Sequence, residues 1–106
     1  FTYVEDTAQG IVLAATKKEA NNKIFNITRA DTKLYTLLDA AQLALKVVGG
    51  GNLIVNDKDP DFPSRGRLSI DRAVTELGYT PTVSVEEGFN RYHEWFKKST
   101  FWQSKL

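Results

Sequence analysis

Ser64-Arg65-Gly66-Arg67-Leu68-Ser69-Ile70-Asp71-Arg72-Ala73-Val74-Thr75-Glu76-Leu77-Gly78-Tyr79-Thr80-Pro81 carries the chain from an irregular loop into a short helix. Ile70, Ala73, Val74 and Leu77 recur at i, i+3, i+4 and i+7, the spacing that puts apolar side chains on one helical face. Gly78 supplies a helix end, and Pro81, which has no amide hydrogen, confirms the break. Asp71 belongs to the start of this helix. Just ahead of it, Arg65 and Arg67 flank Gly66. A guanidinium offers a planar fork of donors that matches a pair of phosphate oxygens, and glycine lets a backbone approach a ligand closely. Arg65-Gly66-Arg67 is therefore a candidate anion site. Spacing alone favours the plainer reading, two surface arginines neutralising Asp57, Asp59 and Asp61.

Downstream, Ser84-Val85-Glu86-Glu87 has the pattern of a capping box opening a fourth helix, with Val85, Phe89, Tyr92 and Phe96 as its stripe. Upstream, Asn56 to Gly66, with two prolines and three aspartates, reads as a loop. Leu53-Ile54-Val55 reads as a short buried strand. A second helix carries Leu34, Leu37, Leu38, Ala41, Leu45 and Val48 and stops at Gly49-Gly50-Gly51. Lys23-Ile24-Phe25-Asn26-Ile27 alternates like a strand after an Asn21-Asn22 turn. Ala8, Ile11, Val12 and Ala15 mark a first helix, with Asp6 placed to cap it, Gln9 three residues on and Lys17-Lys18 at its negative end. Phe1 to Val4 is aromatic and β-branched, as in a short strand. The expected fold class is α/β: a small helix-rich lobe whose separated short strands join, as parallel additions, a sheet whose larger part is absent from this chain.

The chain has 106 residues, 42% of them hydrophobic and 25% charged, which is one ordinary domain. Fourteen Lys and Arg against thirteen Asp and Glu leave a net charge of +1 and no long-range field for nucleic acid or an anionic membrane. No stretch reaches the roughly 18 apolar residues of a membrane-spanning helix. The absence of cysteine excludes disulfides and thiol nucleophiles, and is compatible with the cytoplasm. The chain opens on Phe1 and contains no methionine, so a fragment of a longer protein is expected.

Few catalytic sets can be assembled. His93 is the only histidine and reads as a surface residue. Asp57, Asp59 and Asp61 alternate like calcium ligands, but Phe62 and Leu68 stand where glycine and glutamate are needed. Gly49-Gly50-Gly51 follows a helix, and no Gly-Lys-Ser or Gly-Lys-Thr follows it, so it is not a phosphate loop. Trp95, Phe96, Phe101 and Trp102 cluster late in the chain as core or docking surface.

Three segments together resemble the extended short-chain dehydrogenases, the NAD-dependent nucleotide-sugar epimerases and dehydratases. Phe1 to Ile11 is similar to their F-x-x-V-x-D-x-A-x-G segment, and Lys23 to Ile27 to their x-x-F-N-I strand. Ser64 to Pro81 is similar to R-G-x-L-D-I-x-K-A-x-x-x-L-G-Y-x-P, and Val83 to Gly88 completes it. Order and spacing agree over about the first 96 residues. Relatives often have glycine where Thr28-Arg29 follows the strand, and aspartate at Ser69, which leaves the sugar and the reaction open.

The resemblance implies residues 1–98 as the substrate-binding C-terminal part of such an enzyme, with 99–106 as a tail. In that family a Rossmann domain binds NAD through a glycine-rich turn and carries a Tyr-x-x-x-Lys pair. Here there is no G-x-x-G-x-x-G, and none of Tyr3, Tyr35, Tyr79 or Tyr92 has lysine four residues later. NAD is thus expected on polypeptide outside this chain, and no catalytic or metal residue within it. Arg65 matches the family's arginine before glycine, which implies contact with the nucleotide diphosphate; Arg67 is a second substrate-binding candidate. The implied partners are a nucleotide diphosphate-sugar, the rest of the same polypeptide and, as one expected state of the parent, a second copy. The rival expectation is a non-catalytic protein-interaction domain of the same fold.

Overall fold

The computed structural model describes residues 1–100. Three α-helices organise it: α1 (Val4–Thr16), α2 (Leu37–Val48) and α3 (Val85–Lys98). A 3-10 turn at Lys18–Ala20 follows α1, and a wide helical turn at Ala73–Leu77 precedes α3. No helix among the described residues is long and apolar enough to cross a membrane. The expected aromatic cluster is described only at Trp95 and Phe96; Phe101 and Trp102 lie outside the described residues.

The chain divides into two compact units. The first is Phe1–Leu34 with Arg65–Ser84; the second is Tyr35–Ser64 with the chain from Val85 on. In the first, α1 and the 3-10 turn both pack against the Ala73–Leu77 turn. Ala73, Leu77, Tyr79 and Val83 are its buried apolar side chains. Gly10 is also buried: a Cβ there would meet the Ile27 side chain at Cγ2, so a larger residue would force Ile27 to shift. The 73–77 turn closes with the Gly78 amide donating to Val74 O and the Tyr79 amide to Ala73 O. Gly78 takes the left-handed conformation (φ 68°) that the sequence placed there.

In the second unit α2 packs on α3. Thr36 and Asp39 form a capping box, each side chain accepting from the other's backbone amide at 3.0 and 2.9 Å. At the far end Gly49 (φ 89°) donates to Leu45 O, satisfying a terminal carbonyl. Tyr35 donates its hydroxyl to Glu86 Oε1 at 2.6 Å. On α3, Tyr92 stacks against Trp95 and Phe96 with ring centroids 5.7 and 6.1 Å apart, the expected stripe turned into an aromatic stack.

The expected helix-rich lobe is present, and its short strands are the first correction: among the described residues no strand forms. Val4 is the first residue of α1, so the opening apolar run feeds a helix. Leu53-Ile54-Val55 is unpaired and unburied, with Ile54 83% exposed. Lys23–Ile27 keeps its place without a ladder: Arg72 Nη1 donates to Ile24 O, Asn26 Nδ2 to Ser69 O, and Lys23 pairs with Glu76 at 2.8 Å. A strand needs a neighbouring backbone, and the pattern of a sequence does not supply one. Asp6 is the second correction. The N-cap of α1 is Tyr3, without a side-chain hydrogen bond, and Asp6 sits a turn inside the helix, 4% exposed.

Tyr79 is wholly buried and its hydroxyl has no hydrogen-bond partner. Burial first, and the Asp6 carboxylate second, hold its pKa above the ordinary tyrosine value. The unfolded chain therefore loses this proton at about pH 10 while the folded chain retains it. Its contribution is intact below pH 10 and falls as pH climbs towards the folded value. Chemical denaturation from pH 8 to 11 should show a stability loss that is smaller in Tyr79→Phe than in the parent chain. At neutral pH the same substitution removes an unpaired buried hydroxyl and should leave stability equal or slightly higher. Parallel pH curves for the two proteins would refute the assignment.

Candidate anion-binding site

Arg65 and Arg67 both lie in the first unit, on the run that enters the 73–77 turn, and both are exposed. Neither takes part in an ion pair among the described residues. Within the second unit, Asp59 Oδ1 accepts the Asp61 amide at 2.9 Å as turn-forming aspartates do. No group of three or more potential metal ligands occurs among the described residues.

The two arginines differ. Arg65 makes no hydrogen bond among the described residues. Arg67 Nη1 lies 3.5 Å from the carbonyl oxygens of both Ala30 and Asp31. At that length the contacts are weak, so they orient the guanidinium without neutralising it. Gly66 has open space around its would-be Cβ and does not need to be glycine for the fold.

Arg29, which the sequence did not single out, anchors the loop that Arg67 faces. Its Nε donates to Asp31 Oδ1 at 2.6 Å and its Nη1 to Val83 O at 2.7 Å. Its amide donates to Thr2 Oγ1 at 3.0 Å. The one sequence signal was a departure: a charged Thr28-Arg29 where the resembled family tends to have glycine. Asp6 completes the framework, accepting from the amides of Thr82 at 3.0 Å and Val83 at 2.9 Å.

A hollow of about 250 Å³ nearby is lined by Ile24, Asn26, Ser69, Ile70, Arg72 and Ala73. Its cation, Arg72, is already shared between Ile24 O and Glu76 at 3.6 Å. The glycine run 49–51 follows the C-terminal end of α2, where carbonyls point outward and repel phosphate.

The chain is similar in sequence to several known proteins. The whole chain is 32% identical over 108 residues to an uncharacterized protein of Methanocaldococcus jannaschii, spanning 32% of its length. Over 92% of the chain it is 28% identical to UDP-glucuronic acid decarboxylase 1 of Xenopus tropicalis, spanning 23% of that protein. Over 91% it is 27% identical to UDP-glucuronate 4-epimerase 4 of Arabidopsis thaliana, spanning 25%. The chain thus covers between about a quarter and a third of the curated relatives it matches. No family profile matches the chain, and no solved structure matches it.

Proposed function

We propose that this chain is the nucleotide-sugar-binding part of an extended short-chain dehydrogenase acting on a UDP-uronic acid or a close relative. The observation that carries this reading is the similarity, over nine-tenths of the chain, to two proteins named for UDP-glucuronate chemistry. Two exposed arginines without carboxylate partners agree with it, because a nucleotide diphosphate brings two negative charges that need donors.

In this reading Arg65 and Arg67 hold the diphosphate by charge-assisted hydrogen bonds. Fixing that handle limits the sugar to small rotations, so the rest of the enzyme meets it in a reactive orientation. NAD belongs to polypeptide outside this chain and supplies the hydride chemistry there. The residues described here bind and orient; none transfers a proton or a hydride.

Arg65→Ala in the full gene product should raise KM for UDP-glucuronate about tenfold, the loss of one charge-assisted contact, with NAD affinity unchanged. Unchanged KM would remove Arg65 from the site. The rival reading, a non-catalytic interaction domain, draws on the exposed Tyr92–Trp95 stack. Upstream sequence separates the two. A glycine-rich dinucleotide turn with Tyr-x-x-x-Lys supports the enzyme, and their absence supports the interaction domain.

A further inference from the structure

The loop between Thr28 and Asp31 is held in a conformation its residues would not choose. Ala30 has φ 52°, in the left-handed region that a Cβ disfavours. Its amide donates to Thr28 Oγ1 at 3.1 Å, and Arg29 clamps both sides of it, to Thr2 and Val83 on one hand and Asp31 on the other. The Arg29–Asp31 side chains are 22% and 26% exposed, less than either partner in the other ion pairs described. The loop therefore presents two backbone carbonyls to Arg67, while the Asp31 carboxylate is bonded to Arg29.

That division of Asp31 has a consequence. The residue whose carbonyl touches Arg67 also bears a carboxylate, the group that would cancel an arginine's charge most effectively. We propose that Arg29 is a positioning residue that withholds the Asp31 carboxylate from Arg67, leaving Arg67 oriented but un-neutralised for a diphosphate. The identity of the diphosphate rests on the nucleotide-sugar reading; the allocation of the counter-ion rests on the loop geometry. Loss of the Arg29 side chain frees Asp31 to swing onto Arg67, and the anion then competes with an internal carboxylate.

The test is titration of inorganic pyrophosphate onto the full gene product by calorimetry, with NAD saturating and folding checked by circular dichroism. Arg29→Gln should weaken binding about tenfold, the size of one charge-assisted interaction. Arg29→Gln with Asp31→Asn should restore it to within about twofold, which simple loop damage would not do. In an Arg67→Ala background Arg29→Gln should have no further effect. Asp31→Asn alone leaves Arg29 in place and should bind at least as tightly as the parent. This variant keeps the proposal testable if Arg29→Gln fails to fold. Failure of the rescue, an undiminished Arg29 effect without Arg67, or weaker binding by Asp31→Asn each overturns the proposal. Turnover of UDP-glucuronate by the unmodified protein is scored separately. If turnover is absent while the pyrophosphate pattern holds, the nucleotide-sugar reading fails and the role of Arg29 stands. If turnover is present and the rescue fails, the reverse is concluded.

Discussion

Asp6→Ala should lower the folding free energy by about 3 kcal/mol, well beyond the ~1 kcal/mol expected of a lost helix cap. The carboxylate is 4% exposed and accepts from two amides, those of Thr82 and Val83, that lie more than seventy residues away. Truncation removes two charge-assisted bonds, each worth roughly 1.5–3 kcal/mol. It also leaves the buried Val83 amide with no acceptor, while the amide of exposed Thr82 can turn to water. Asp6→Asn tests the mechanism as well as the magnitude. It keeps the shape, but one oxygen becomes a donor facing another donor, so most of the loss should persist. Serine, a good N-cap, should fail here for the same reason. Denaturant unfolding reads all three. A loss below about 1 kcal/mol for Asp6→Ala would return the residue to the capping role.

Leu77→Ala should cost about 3 kcal/mol, within the ~2–5 kcal/mol range for buried leucines. Leu77 is fully buried at the end of the 73–77 turn, in a unit with few other buried apolar side chains. Gly78 fixes the chain direction immediately after it, and Tyr79, also fully buried, follows. The neighbourhood has little freedom to collapse into the space left behind, and that places the cost above the bottom of the range. Leu77→Met keeps the volume and should lose less than about 1.5 kcal/mol. Equal losses for the two would show that shape at this position, more than buried volume, sets the stability.

Helices were the legible part of this sequence. Helices α2 and α3, the glycine ends at Gly49 and Gly78 and the turn at Asn21-Asn22 appear where periodicity and turn chemistry put them, whereas the expected apolar stripe of α2 is largely exposed, with Leu37 at 68% and Val48 at 62%, and Ala40 is its buried residue. Each depends on residues within a few positions of one another. The Thr36–Asp39 capping box is equally local, but the apolar periodicity that includes Leu34 sets the helix start too early and hides it. Lys23–Ile27 and Leu53–Val55 form no strand among the described residues: alternation and β-branching describe a segment suited to a sheet, whereas a sheet exists only when a second backbone lies alongside.

The candidate site divides in the same way. Arg65-Gly66-Arg67 is a candidate from residue types alone, because guanidinium groups carry their chemistry in themselves. By itself the sequence determined where the helices end at Gly49 and Gly78, and that neither G-x-x-G-x-x-G nor Tyr-x-x-x-Lys occurs in these 106 residues. Only the tertiary structure decided that Asp6 joins α1 to Val83, that Arg29 secures the 28–31 loop, and that Arg67 faces carbonyls instead of a carboxylate. Hydrogen bonds between residues tens of positions apart depend on how the chain folds back on itself, and no local pattern of residue types encodes that distance.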